Sequence, residues 1–319
     1  MSTRQHQWGF LWRRLLQAAP VIVFATFIVF SLLKIVPGDV AVTLAGENAT
    51  EQRIAEIRQL YGLDRPFLVQ YGSWLWKALH GDLSMSLLSS EPVLTSIARS
   101  LPNTLLIVSI ALLLALVIGI PLGIVAARHP GSLVDKVLMS IASLGVAVPN
   151  FWLAMILVSL FALERNWFPA TGAVPLAVDP WQAIRHALLP AIALASGGVS
   201  EVARQLRSSL ADILSSQQVR TLHAKGVPPF TILWKHGLKN VSVNLLTVIA
   251  LLANRLLAAT VVVEAVFAVP GMGSLIVHAA VHRDFPVVQG VVFVMVLIVI
   301  AINLTTDALY RIVDPRVRT

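Results

Sequence analysis

The sequence contains no cysteine and unusually few charged residues. The absence of cysteine excludes disulfides, thiolate metal sites and thiol nucleophiles. Charged residues make up 13% of the chain, whereas soluble domains carry about 25%. Hydrophobic residues reach 57%, and the mean hydropathy is +0.80. This composition excludes an ordinary soluble domain and predicts a membrane protein.

Two catalytic motifs are also missing. There is no Gly-x-x-x-x-Gly-Lys-[Ser/Thr] phosphate loop, so we do not expect this chain itself to hydrolyse ATP. There is no Gly-x-Ser-x-Gly nucleophile elbow either. The sequence therefore does not predict an enzyme.

Six apolar stretches approach the roughly 20 residues that a spanning helix requires. The first is longer than the apolar region of a usual signal peptide, so we expect an uncleaved helix. The fourth and fifth are the weakest, because they carry charged residues such as Glu201, Arg255 and Glu264. Together they predict an all-α, polytopic membrane protein with six transmembrane helices. The stretches are 15–33, 100–127, 137–163, 186–214, 240–269 and 285–306.

The distribution of charge predicts the orientation. One side receives the N-terminus, the loop at 128–136, the segment 201–239 and the C-terminus, with 14 cations against five acids. The other side, without the deep Arg255, has nine cations and 11 acids. The positive-inside rule then makes both termini cytoplasmic and residues 37–99 external. Lysine and arginine residues in the cytoplasmic loops account for the net charge of +8, so we expect no nucleic-acid partner.

A short basic, amphipathic segment lies at 218–229, between the apolar stretches. Ala224 and Gly226 are small enough for another protein to approach closely, and Arg220 and Lys225 place charge at the edges. Gly226, followed by two prolines, predicts the end of a helix. The spacing alone fits a docking helix or an ordinary basic loop equally well.

Motifs along almost the whole chain decide between these two interpretations. The segment resembles the "EAA" loop of ABC-importer permeases of the dipeptide/oligopeptide/nickel (type I) family, although the glutamate and first alanine of that motif are absent here. The motifs that carry the resemblance are Arg220-Thr221-x-x-Ala224-Lys225-Gly226, Leu233-x-x-His236-x-x-x-Asn240, Val36-Pro37-Gly38-Asp39, Tyr61-Gly62-Leu63-Asp64-Arg65-Pro66, Leu101-Pro102-Asn103-Thr104, Pro149-Asn150-Phe151-Trp152-Leu153, Val263-Glu264-x-Val266-Phe267-x-x-Pro270-Gly271-x-Gly273, Arg283-Asp284-Phe285-Pro286-Val287-Val288-Gln289-Gly290 and Asp314-Pro315-Arg316.

The resemblance implies a type I ABC-importer permease fold in the bacterial cytoplasmic membrane. It divides the chain into an N-terminal segment with the first helix (1–36), an external segment (37–99), and a permease core (100–319) that contains the cytoplasmic coupling loop at 215–240. The implied partners are a second permease subunit, two ATP-binding subunits that carry ATP and Mg, an external substrate-binding protein and membrane lipid. This chain would bind no cofactor.

The implied cargo is a small peptide or a related solute, with nickel or an opine or metallophore complex as the alternative. A rival class is an ion-coupled secondary transporter. Such a transporter would need a cluster of intramembrane acids or histidines, or broken helices repeated in two halves. The sequence shows neither pattern.

The resemblance also assigns candidate site residues. Glu264 precedes the Pro270-Gly271-Met272-Gly273 turn, where it would fix an external gate, or form a structural salt bridge at a helix end. Arg255 is not required by the motif; as a charge within a membrane span, it would line the pathway or pair with a helix of the partner permease. As a bare charge in the pathway, it would repel a naked divalent cation. The coupling residues are Val219, Arg220, Thr221, Ala224, Lys225 and Gly226, and the gate and pathway residues are Arg255, Glu264, Pro270, Gly271 and Gly273.

Three further features carry weaker expectations. His278 and His282, near Asp284, have the spacing of two metal ligands on one helix face, but polar residues at an external helix end explain them as well. Thr50 resembles the N-cap of a short external helix. The aromatic patch at 71–76 is expected to lie at the lipid headgroup layer, the alternative being a cap over the transporter mouth.

Overall fold

The computed structural model describes residues 3–35, 41–42, 50–60 and 62–313. Within these ranges the regular structure is helical, apart from one antiparallel bridge between Met85 and Pro92. The α-helices are α1 Thr3–Ile35, α2 Glu51–Leu60, α3 Phe67–Leu79, α4 Val93–Arg128, α5 Leu133–Ala147, α6 Asn150–Leu157, α7 Pro180–Leu214, α8 Gln217–Ala224, α9 Pro229–Thr231, α10 Lys239–Val266, α11 Met272–Val281 and α12 Phe285–Val313.

Two stretches continue these helices with wider, π-helical turns. Val158–Glu164 extends α6, and Ile232–Leu238 joins α9 to α10. The chain divides into two compact units, one formed by Met1–Arg99 with Leu275–Ile300 and the other by Ser100–Ser274 with Ala301–Thr319. The motifs at 36–39 and 314–316, Tyr61 and both extreme termini lie outside the described residues.

Four helical segments of the described part are long and apolar enough to cross a membrane: Val93–Arg128, Pro180–Leu214, Pro229–Val266 and Phe285–Val313. They contain four of the predicted spans almost completely, which confirms those predictions. The first predicted span is represented by a shorter apolar stretch, Leu16–Leu32, inside α1. The polytopic all-α prediction is confirmed, whereas the number six is not reproduced by this criterion.

The third predicted span, 137–163, is not one continuous helix. Helix α5 and the following Asn150–Glu164 meet at an angle of 93° across Val148 and Pro149. Pro149 has no N–H to continue the helix, and Val148 before it is extended at φ −91° and ψ 122°. The bent pair together still passes the criterion for a span, but the single continuous helix was wrong, because hydrophobicity alone does not distinguish a straight helix from one broken by proline.

Helix α7 is the most buried of the four apolar segments and packs against α5, α6 and α10. Small residues of α4 also let that helix approach α7 closely, as is common between membrane helices. A Cβ on Gly119 would lie 2.9 Å from the Val202 side chain, and one on Gly123 would lie 2.9 Å from the Ala203 carbonyl oxygen. The core of this unit is thus built by close approach of helix backbones.

In the other unit an aromatic cluster joins α1 and α3. Tyr71 and Trp74 are buried and lie against Phe27, Phe30 and Phe67. The Tyr71 hydroxyl donates to the Val23 carbonyl at 2.9 Å. The expected headgroup-layer position of the whole 71–76 patch is therefore wrong for these two rings, which are core residues.

The ring of Trp76, in contrast, remains exposed, at 66%. Two polar contacts also lie within this unit. Thr50 accepts a hydrogen bond from the Arg53 N–H at 3.3 Å, which confirms the predicted N-cap of α2. Asp284 accepts from the Ser86 hydroxyl at 2.5 Å and from the Leu87 N–H at 3.1 Å, so its charge is held by the 82–92 loop.

The crossing of α5 and α7 gives a test of this packing. A Cβ on Gly145 would overlap the carbonyl oxygen of Ser196, whereas one on Gly197 would make only an ordinary contact, 3.8 Å from the Gly145 carbonyl oxygen. Gly145→Ala should destabilise the protein by about 1–3 kcal/mol through overpacking. Gly197→Ala is the matched control, since both variants gain the same helix propensity. Thermal unfolding in detergent should give a lower midpoint for Gly145→Ala, and equal midpoints would contradict the packing.

Candidate coupling and gate sites

Helix α8 is a short, well-capped helix at the predicted coupling segment. The Ser216 side chain accepts from the Val219 N–H at 3.4 Å and caps the start. At the end, Gly226 adopts φ +73°. Its N–H donates to the His223 carbonyl at 2.9 Å, and the Val227 N–H donates to the Leu222 carbonyl at 3.1 Å. This is a Schellman ending, so the predicted helix end at Gly226 is confirmed.

The predicted coupling residues fall into two groups. Val219 is buried, at 2% exposure, and α8 packs against the π-helical turn Ile232–Leu238. This valine holds the helix in place and is not available to a partner. The remaining predicted residues are exposed, and these are Arg220, Thr221, Ala224, Lys225 and Gly226.

An exposed aromatic pair follows this helix. Phe230 and Trp234 are both more than half exposed, and their ring centroids are 5.9 Å apart. The i,i+4 spacing of these two aromatic residues was the signal available in the sequence, although no role was predicted for them. These two rings add exposed apolar surface next to α8.

Glu264 forms the centre of the second site. It is fully buried, and its carboxylate accepts from the Thr104 hydroxyl at 2.6 Å, the Gly273 N–H at 2.8 Å and the Ser274 N–H at 3.1 Å. Its hydrogen-bond partners are neutral groups, so the contacts do not have the form of the salt bridge that was the alternative. We call residues 267–274 the gate turn, and Glu264 supports it from the end of α10.

The gate turn is also fixed by its glycines and by α4. A Cβ on Gly271 would overlap the Glu264 carboxylate, and a Cβ on Gly273 would overlap the Val261 backbone. The Asn103 side chain donates to the Pro270 carbonyl at 2.9 Å. The structure therefore brings Glu264, Pro270, Gly271 and Gly273 together.

Two residues of the gate site were not assigned by the sequence. Asn103 and Thr104 belong to a motif that we recognised but gave no role. Thr104 donates to Glu264 and accepts from the Met272 N–H at 2.8 Å, so it links α4 to both sides of the gate turn. The partners of Thr104 are 160 and 168 residues away in the sequence, so local spacing could not reveal these contacts.

Arg255 does not belong to this cluster. It pairs with Glu201 of α7, with two N···O distances of 2.8 Å between the guanidinium and the carboxylate. The Arg255 side chain is 62% exposed, and that of Glu201 is 21% exposed. A neutralising acid thus lies in the same chain, and the expectation of a bare charge that repels divalent cations is wrong.

A second ion pair joins the start of α5 to α7. Arg207 donates from Nε to Asp135 Oδ1 at 3.0 Å and from Nη2 to Oδ2 at 2.5 Å. The Gly131 N–H also donates to Oδ2, at 2.8 Å. Both carboxylate oxygens are therefore occupied, and bidentate geometry of this kind gives a strong, directional contact. These residues were included in the count of cations and acids on each side of the membrane, but no contact between them was predicted.

The two histidines of the weak metal candidate lie side by side. The rings of His278 and His282 stack with centroids 4.2 Å apart, and both residues are exposed. Asp284 is engaged by the Ser86 hydroxyl and the Leu87 N–H instead. Among the residues whose side chains are described, no group of three potential ligands forms.

Comparison with known proteins gives consistent results. Residues 119–319 match the family described as binding-protein-dependent transport system inner membrane component, and residues 8–109 match the N-terminal component of such systems. A putative peptide transport system permease protein of Brucella abortus (strain 2308) is 40% identical over 96% of this chain and 98% of its own length. The dipeptide transport system permease protein DppB of Alkalihalophilus pseudofirmus is 36% identical over 96% and 98%.

A solved structure shows the same fold. A chain of the MetNI methionine ABC transporter, in an inward-facing conformation, superimposes with a TM-score of 0.58 at 20% identity. The match covers 70% of this chain and 99% of that one. At this identity the similarity concerns the fold alone, and it confirms the ABC-importer permease fold expected from the motifs.

These chains are membrane components of transport systems. The present chain belongs to the family of binding-protein-dependent transport system inner membrane components, that is, to the permeases of ABC importers. It is a multi-pass membrane subunit that works with ATPase and substrate-binding partners. The prediction of a transport subunit rather than an enzyme is confirmed.

The hydroxyl of Thr104 gives a direct test of the gate site. Thr104→Val keeps the shape but leaves Glu264 without its hydroxyl donor and the Met272 N–H without its acceptor. Each unsatisfied buried group costs about 1–3 kcal/mol. Thr104→Ser retains the hydroxyl and is the control. Thermal unfolding should give a clearly lower midpoint for the valine than for the serine variant, and matching midpoints would argue against the assigned contacts.

Proposed function

We propose that this chain is a permease subunit of an ATP-driven importer of small peptides. The names of two full-length relatives, a peptide and a dipeptide transport permease, support this cargo. The observation that carries the coupling role is the geometry of α8. Val219 anchors one face of α8, and the opposite face presents small and basic residues that another protein subunit can contact.

The coupling and gate sites are connected by one helical segment. Pro229–Val266 runs for 38 residues from the turn beside α8 to Glu264 at the gate turn. At about 1.5 Å per residue, such a segment extends roughly 57 Å. We propose that movement of α8 by an ATPase shifts this segment as a lever and changes the position of the gate turn.

The partners follow from this role. Two ATP-binding subunits, which carry ATP and Mg, would bind on the cytoplasmic side, and a cleft of one of them would receive α8. A second, related permease would complete the pathway as a heterodimer, and an external binding protein would deliver the peptide. In this arrangement both termini are cytoplasmic, 1–36 contains the first helix, 37–99 is external, and 100–319 forms the permease core with the coupling loop at 215–240.

The pair of Arg255 and Glu201 is proposed to face the pathway. A charged side chain at membrane depth normally faces a cavity or a protein partner. Arg255 is largely exposed in the isolated chain, although one face of its guanidinium is occupied by Glu201. The free N–H groups can then hold the carboxylate of a passing peptide, while Glu201 limits the net positive charge.

The coupling role predicts the effect of Ala224→Glu. This position is exposed on a helix that glutamate also favours, so the fold should persist. An unpaired charge in an interface costs about 2–5 kcal/mol, which weakens association by at least about thirtyfold. Ala224→Ser is the control. Substrate-stimulated ATPase activity of the reconstituted complex should be lost only in the glutamate variant, and full stimulation there would refute the role.

The pathway role predicts a different result for Arg255. Arg255→Gln leaves Glu201 uncompensated and should impair assembly, whereas Glu201→Gln with Arg255→Gln removes both charges and should restore it. If the pair faces the pathway, the restored complex still takes up peptides poorly. Uptake of a dipeptide panel with the binding protein present measures this. Native uptake by the assembled double variant would exclude the pathway role while leaving the coupling role intact.

A further inference from the structure

A cavity of about 330 Å³ opens between the start of α5 and the last third of α7. It lies outside both the coupling and the gate sites. Five of its six lining residues are charged or polar and one is a methionine, and the surface exposed inside the cavity comes mainly from their apolar carbon atoms. The lining residues are Asp135, Lys136, Met139, Arg204, Arg207 and Ser208.

The cavity has an excess of two positive charges. Asp135 is neutralised by Arg207, because the guanidinium and the Gly131 N–H occupy both carboxylate oxygens. Lys136 and Arg204 form no ion pair among the described residues. Two exposed cations that line one cavity repel each other, and an anion placed between them removes that cost.

The cavity also lies where an apolar surface begins. In α7 the uncharged stretch ends at Ser200, just before Arg204. Beside the cavity, α5 leaves an exposed apolar stripe at i, i+4, i+8 and i+11, formed by Leu133, Val137, Ile141 and Leu144. Helix α7 is a candidate membrane-spanning segment, and α5 passes the same test only together with Asn150–Glu164, as a bent pair. The cavity thus lies at the boundary between charged surface and exposed apolar surface.

We propose that this cavity binds the phosphate headgroup of an anionic membrane lipid. The phosphodiester would lie between Lys136 and Arg204, with Ser208 available to donate from its hydroxyl, and the acyl chains would cover the α5 stripe. Basic pockets between membrane helices recognise lipid headgroups in this manner. A free phosphate satisfies the same cations but leaves the stripe uncovered, so the lipid accounts for both features.

The test measures binding of phosphatidylglycerol to the purified protein in detergent by native mass spectrometry, with phosphatidylcholine as the neutral comparison. Each basic residue near an anionic headgroup strengthens binding about fivefold, so Lys136→Gln with Arg204→Gln should weaken it about 25-fold. Lys235→Gln with Lys239→Gln removes the same charge from exposed positions elsewhere and should leave binding unchanged. Arg207 is kept, so that its pair with Asp135 remains intact.

Three results would overturn the proposal. The first is equal binding of the anionic and the neutral lipid. The second is an equal loss of phosphatidylglycerol binding in both double variants, which would indicate general attraction to a basic surface. The third is displacement of the lipid by millimolar inorganic phosphate at constant ionic strength, which would identify a free-anion site. None of these measurements depends on ATPase partners or on peptide uptake.

Discussion

The structure depends on one constraint, which is that buried backbone polar groups must find partners within the protein. A straight helix satisfies this automatically, whereas each interruption creates groups that need a partner. The gate turn is such an interruption, because α10 ends at Val266 and α11 begins only at Met272. Glu264 and Thr104 supply the missing partners for the N–H groups of Met272, Gly273 and Ser274. A buried carboxylate is tolerable here because three donors surround it.

The same constraint explains why the gate site is built from neutral donors. A buried carboxylate that is paired with a single cation is strongly disturbed when that cation moves away. Backbone N–H groups and a hydroxyl share the charge among several weaker contacts. The exposed pair of Arg255 and Glu201 shows the other solution, in which two formal charges neutralise each other between neighbouring helices.

The sequence predicted those parts of the molecule that depend on local pattern. Four spans, the N-cap at Thr50 and the helix end at Gly226 follow from apolar length, side-chain caps and glycine conformation, and the structure reproduces them. The break at Pro149 was missed because the stretch from 137 to 163 is long and uncharged, so its composition alone suggested one helix. Contacts such as Asp135 with Arg207 were missed because their partners lie 72 residues apart, and net charge by side does not identify pairs.

The close approach of Gly145 to the Ser196 carbonyl also limits how α5 and α7 can move. The absence of a side chain at this point is what lets the two backbones cross so closely. A shift of α5 along α7 by one helical turn would bring Ala142 to the Ser196 carbonyl oxygen, where no room for a Cβ exists. Gly145 therefore fixes the register in which these two helices cross.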